Sequence, residues 1–114
     1  MSGRVLVVDD EPNLREVIRI VLEDEGFVVR EAADLSSASA ALAREHFDLV
    51  ICDILLPDGS GLDLLRAHGA TTSFAMITAH TTPATLLSAV RQGAVEYLSK
   101  PFDIEQLKKV VAKR

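Results

Sequence analysis

Five residues of this sequence have side chains that suit joint chemistry, and each stands where an apolar run stops. Asp9 and Asp10 follow Val5-Leu6-Val7-Val8, and Asp53 follows Leu49-Val50-Ile51-Cys52. Thr78 follows Phe74-Ala75-Met76-Ile77, and Lys100 follows Tyr97-Leu98-Ser99. Three carboxylates brought together repel one another. Two unit charges about 4 Å apart cost roughly 4 kcal/mol at an effective dielectric of about 20. Such a cluster needs a cation. A set of hard oxygen donors with open positions suits Mg2+, or Mn2+ in its place, which keeps several waters and takes one or two carboxylates plus phosphate oxygens. Lys100 adds a fixed positive charge and Thr78 a hydroxyl. Carboxylates, a divalent ion, a hydroxyl and an ammonium are the parts of a phosphoryl-transfer site, where a carboxylate serves as the nucleophile. Asp53, central in the inferred sheet, is the natural acceptor.

That chemistry works only if the five residues meet, so the elements between them matter. Residues 5–8 are β-branched and unbroken, a first strand. Pro12 suits the first turn of a helix. Leu14, Val17, Ile18, Val21 and Leu22 form one apolar stripe, and Gly26 ends that helix. Residues 27–30 read as a second strand, 35–44 as an Ala-rich helix and 49–52 as a third strand. Turn chemistry fills 56–61, and a short helix covers 62–67. A fourth strand spans 74–77, a helix 83–92 and a fifth strand 97–99. The last helix covers 103–113, with Ile104, Leu107, Val110 and Val111 on one face. These are five βα units. Strands that are apolar throughout are buried on both faces, which means a parallel sheet covered by helices. Ligands bind such sheets outside the carboxyl ends of the strands. All five polar residues should therefore share one edge.

Composition narrows the rest. The 114 residues suffice for one domain, 1–114, and the 48% hydrophobic content supplies one core. A net charge of −5 argues against direct nucleic-acid binding, which needs a basic face. The basic residues Lys108, Lys109, Lys113 and Arg114 suit the negative end of a helix dipole. The single cysteine, Cys52, allows no internal disulfide, and inside a strand it reads as inert packing. The opening apolar run is too short for a signal peptide or a membrane span. The cytoplasm is the default location.

The tracts VLVVDDEP, DLVICDILLPDGSG, MITAH and GAVEYLSKPF resemble, in order and spacing, the receiver domains of two-component response regulators. The resemblance runs from Arg4 to Lys113, and TAH with GAVEYLSKPFD is most similar to receivers of enhancer-binding (NtrC/DctD-like) transcriptional activators. It implies a flavodoxin-like (βα)5 three-layer sandwich with sheet order 2-1-3-4-5. It implies Asp53 as the phosphoacceptor, fed by a phosphohistidine on a sensor histidine kinase. Asp10, Asp53 and the backbone carbonyl of Leu55 would bind Mg2+, with Asp9 helping through water. Thr78 and Lys100 would hold the phosphoryl oxygens. Tyr97 matches the aromatic switch residue that follows Thr78 inward, and Lys100-Pro101 matches a cis peptide. The face made by helix four, strand five and helix five would then change, to be read by an output domain, a partner or a second copy in a homodimer. Leu55 and His80 occupy the positions that tune hydrolysis of the acyl phosphate. One departure stands out: the stretch between Gly61 and Phe74 is a few residues short, so helix three or its exit loop must be clipped.

Rival readings remain open. A second reading of Tyr97 is a half-buried core phenol with one partner. His46 and His68 show no metal-ligand spacing, and Gly59-Ser60-Gly61 lacks the lysine of a phosphate-binding loop. A phosphatase of haloacid-dehalogenase type would carry a second Asp two residues after its nucleophile, where this chain has Leu55. A pseudo-receiver that no longer takes phosphate, and a stand-alone phosphorelay protein, complete the alternatives.

Overall fold

The alternation of side chains along each strand decides how this chain packs. In β1 (Arg4–Val8), Val5 and Val7 point to one face and Leu6 and Val8 to the other. β3 (Leu49–Asp53) and β4 (Ser73–Thr78) repeat the pattern. Leu49, Ile51, Ala75 and Ile77 join Val5 and Val7, while Val50, Cys52, Phe74 and Met76 join Leu6 and Val8. Apolar side chains on both faces require a covering layer on each side. Two such layers are present in the computed structural model, which describes residues 3–112.

Helices α1 (Pro12–Asp24) and α5 (Ile104–Ala112) cover one face through Ile18, Leu22, Leu107, Val110 and Val111. Helices α2 (Leu35–Arg44), α3 (Gly61–His68) and α4 (Pro83–Arg91) cover the other through Ala38, Ala41, Leu64, Leu65 and Ala89. With edge strands β2 (Val28–Ala32) and β5 (Glu96–Ser99), the sheet runs β2-β1-β3-β4-β5, every neighbouring pair parallel. This is the expected flavodoxin-like (βα)5 sandwich.

Local differences from the expectation have physical causes. The second strand is Val28–Ala32, not 27–30; Phe27 packs beside it on the α1 side of the core. Glu31 disguised the strand's end, because its carboxylate is paired with Arg15 at 3.1 Å and Arg19 at 3.0 Å on α1. Val17 and Ile104, both assigned to buried stripes, lie about half exposed at 48% and 49%. The turn-rich stretch holds a short antiparallel ladder, Leu55–Leu56 against Gly59–Ser60. Its tip lets the Asp58 carboxylate accept from the backbone N–H of Leu35 (2.8 Å) and Ser36 (3.1 Å), capping α2 from a distant loop. The clipped region is an eight-residue α3 followed by a tight turn, where the Thr71 and Thr72 N–H groups donate to the His68 carbonyl. Lys113 and Arg114 lie outside the described residues. No described helix is long and apolar enough to cross a membrane.

Gly61 is where the scaffold leaves no room. Its N–H donates to the Ile54 carbonyl at 2.7 Å, and a Cβ there would stand 2.1 Å from the Asp53 carbonyl oxygen and 2.8 Å from Cys52 Sγ. Gly61→Ala should cost about 2–3 kcal/mol by urea unfolding, as overpacking against backbone does. Gly93→Ala meets open space at a φ of 95° and should cost about 1 kcal/mol of backbone strain. Equal losses in the two variants would refute the close-approach argument.

Candidate functional site

The parallel topology delivers the five singled-out residues to one edge. Asp9 follows β1 and extends its pairing through an N–H bond to the Ala32 carbonyl at 3.1 Å. Asp53 closes β3 and Thr78 closes β4. Lys100 follows β5, and its N–H donates to the Thr78 carbonyl at 2.8 Å. The Lys100–Pro101 peptide is cis.

Lys100 Nζ draws the edge together. It lies 2.8 Å from Asp53 Oδ2 and 2.8 Å from Asp9 Oδ2. It also donates to Glu11 Oε1 at 2.7 Å. Carboxylate oxygens of Asp9, Asp10, Glu11 and Asp53 all fall within 4.8 Å of one another. Glu11 was not anticipated as a member; the available signal was only its place directly after Asp9-Asp10. Backbone groups fix the cluster from below. The Glu11 N–H donates to Asp9 Oδ1 at 2.8 Å, and the Leu55 N–H to Asp53 Oδ1 at 3.1 Å. Arg15, also unanticipated, donates to the Asp9 carbonyl at 2.5 Å.

Asp9, Asp53 and Thr78 are buried, while Asp10 and Glu11 face solvent. Burial pushes the Asp9 carboxyl above its ordinary range. The Lys100 ammonium and the Glu11 N–H pull it back, and Asp53 pushes the same way as burial. For Lys100 burial acts downward, but its contacts with Asp53, Asp9 and Glu11 prevail and hold the ammonium above its ordinary value. The Cys52 thiol is pushed far up by burial, with Asp53 and Asp9 adding to it, which keeps it protonated and inert.

The oxygen set fits a divalent cation. Asp9 Oδ2 is a buried oxygen without a hydrogen bond. Its 2.8 Å approach to Lys100 is an ion pair whose direction is not a hydrogen bond's. One ammonium among four carboxylates leaves an excess of negative charge that hard cations neutralise.

The remaining expected residues lie in different settings. Leu55 is 52% exposed at the mouth. His80 is exposed and donates its N–H to Thr78 Oγ1 at 3.1 Å. Tyr97 is half-buried, with its hydroxyl 3.2 Å from Thr85 Oγ1. Thr85 in turn forms a capping box with Thr82 at the start of α4. His46 lies on the surface 3.7 Å from Asp48, away from the cluster.

A five-stranded parallel sheet with helices on both faces, and an acidic cluster closed by a lysine at its carboxyl edge, defines a CheY-like receiver module. Residues 5–112 match the model of the response regulator receiver domain, and the chain belongs to that family. It is 42% identical over 112 residues to the response regulator protein PilR of Pseudomonas aeruginosa, covering 96% of this chain and 25% of that protein. The chain thus spans about a quarter of the length of that curated relative. A CheY-like receiver from Methanospirillum hungatei superposes with a TM-score of 0.93 at 29% identity, covering 99% of this chain and 93% of the other. The beryllofluoride-activated receiver dimer of NtrC4 superposes with a TM-score of 0.91 at 30% identity, over 96% and 93% of the two chains. These likenesses agree with the placement near NtrC-type activators.

The raised Asp9 pKa carries a stability consequence. A carboxyl whose folded pKa is raised contributes stability below its unfolded value and loses it as pH climbs through the folded one. Ionised Asp9 therefore destabilises the metal-free fold at neutral pH. Asp9→Asn should raise stability at pH 7 without divalent ions. The gain should fade as pH falls toward the ordinary aspartate value of 3.8. A loss at pH 7 in urea titrations would show that the Lys100 pair outweighs the repulsion.

Proposed function

We propose that this chain is a phosphoacceptor signalling switch, taking a phosphoryl group from a sensor histidine kinase onto Asp53. The observation that carries this reading is the 2.8 Å contact between Lys100 Nζ and Asp53 Oδ2 beside a cluster of carboxylates. A nucleophilic carboxylate, a fixed ammonium and room for a cation are what an in-line phosphoryl transfer requires.

Chemically, an Asp53 oxygen attacks phosphorus as the phosphorus–nitrogen bond of phosphohistidine breaks, and the imidazole leaves with the bonding pair. With a small acyl phosphate the phosphorus–oxygen bond breaks instead and a carboxylate departs. Asp10, Asp53 and the Leu55 carbonyl would hold Mg2+ or Mn2+, with Asp9 acting through water. When bound, the ion offsets charge on the transferring oxygens. Lys100 and the Thr78 hydroxyl hold two of those oxygens afterwards. Asp9 and the backbone N–H groups of Glu11 and Leu55 fix the geometry throughout.

The signal then leaves through Thr78. Its movement toward the phosphoryl group opens space for Tyr97, whose bond to Thr85 links that ring to α4. The α4–β5–α5 face changes, and an output segment or a second copy reads it. The relative AlgB of Pseudomonas aeruginosa, 39% identical over 116 residues, is named a transcriptional regulatory protein, which supports a role in transcriptional control. We read the chain as one receiver unit that acts in the cytoplasm, assists only its own phosphorylation and dephosphorylation, and leaves nucleic acid to its partner segments. The dehalogenase-type phosphatase is disfavoured because Leu55 supplies no general acid two residues beyond Asp53.

Incubation with Mg2+ and acetyl phosphate should add one phosphoryl group by intact-mass measurement, and Asp53→Asn should add none. Labelling of Asp53→Asn, or turnover of unrelated phosphate esters, would sink the assignment. A further outcome concerns the lifetime of the mark. Leu55 is apolar and exposed at the mouth, so it guides no water onto phosphorus. Leu55→Asn should shorten the acyl-phosphate lifetime several-fold; an unchanged decay rate would discard this role for Leu55.

A further inference from the structure

Glu11 holds a position that the acceptor chemistry leaves unexplained. It is the N-cap residue of α1, yet its side chain makes no cap hydrogen bond. Its backbone N–H is spent on Asp9, and its carboxylate reaches a lysine 89 positions away in sequence. An ammonium has three donors. Lys100 donates to Asp53 and Glu11 and is ion-paired with Asp9, so three carboxylates crowd its ammonium. A phosphoryl oxygen must compete with these carboxylates for Lys100.

Exposure decides which one yields. The Asp9 side chain is 0% exposed and that of Asp53 8%, whereas that of Glu11 is 61% exposed. Releasing a solvated carboxylate costs far less than baring a buried one. Glu11 also sits at the mouth, where its negative charge meets any incoming phosphoryl donor.

We propose that Glu11 is a specificity-determining gate: it occupies Lys100 and repels anionic donors, so that small acyl phosphates are disfavoured against a donor delivered by a docked protein. It acts through Lys100 and is a positioning residue. A docked partner supplies binding energy from remote contacts to displace Glu11, whereas a small dianion has none to offer. This inference rests on the phosphoacceptor reading above.

The test compares the wild-type chain with Glu11→Gln and Glu11→Ala, using acetyl phosphate at saturating Mg2+ and intact-mass readout. Both variants should be phosphorylated about 3- to 10-fold faster at low ionic strength. The advantage should shrink by about half or more near 1 M salt, where the screening length falls to about 3 Å. Mg2+ affinity by calorimetry should stay within about fivefold of wild type, since ligand or support residues lose 10- to 100-fold. Rates equal to or below wild type would overturn the gate while leaving the acceptor reading intact. So would a gain in one variant only, or a larger loss of Mg2+ affinity, which would make Glu11 a metal ligand. Absence of labelling in wild type and both variants would overturn the acceptor reading, and the gate with it.

Discussion

The ammonium of Lys100, set between two buried carboxylates, is the contact on which the working edge of this molecule depends. Asp9 comes from the end of β1, Asp53 from β3 and Lys100 from just beyond β5, so one cation ties together three strand ends. Buried carboxylates without a counter-charge would be untenable. The neutralisation is nevertheless incomplete. Asp9 stays above its ordinary pKa with Lys100 beside it, and one of its oxygens lacks a hydrogen bond. The fold therefore carries a standing excess of negative charge at one edge. Such an excess costs stability, a common arrangement at functional sites.

The sheet makes that edge rigid. β1, β3 and β4 are buried along nearly their whole length, and alternate side chains lock into separate helical layers. A one-residue slip in any of them would move every side chain to the wrong layer. Backbone bonds carry the order beyond the strand ends. The Ile54 N–H donates to Ile77, Gly61 to Ile54 and Lys100 to Thr78. The closeness of Gly61 to the Asp53 carbonyl means that the loop after β3 is packed onto the backbone it leaves. Charged groups can be held within a few ångströms of one another because nothing beneath them yields.

Much of this was legible in the sequence, for a reason tied to burial. Unbroken runs such as Val5 to Val8 and Leu49 to Cys52 have one stable use in a small chain, the interior of a parallel sheet. The polar residues that stop them fall at its carboxyl edge by necessity. What stayed hidden depended on contacts between distant segments. Glu31 looks wrong for a strand until Arg15 and Arg19 are seen to pair with it. Asp58 reads as turn chemistry, yet it caps α2. Val17 and Ile104 fit a helical stripe but stand at its margin, where periodicity does not say how wide the covered face is. Glu11 sits one residue past the acidic pair, and only the position of Lys100 shows that its side chain turns back toward the edge.

A rigid edge needs a soft element if charge at Asp53 is to be felt elsewhere, and the packing singles out α4. This helix of nine residues buries only Ala89, whereas α5, of equal length, buries Leu107, Val110 and Val111. Leu86, Leu87 and Val90 are 41%, 48% and 58% exposed, so sliding or reorienting α4 would break few apolar contacts. What fixes its start is polar: the Thr82–Thr85 capping box and the Thr85 bond to Tyr97. These bonds are net contributions of about 1 kcal/mol each, small enough for one new charge-assisted contact at Thr78 to outweigh. A two-state shift requires two arrangements of similar free energy. A helix held mainly by exchangeable hydrogen bonds supplies that condition, and the buried sheet beside it does not.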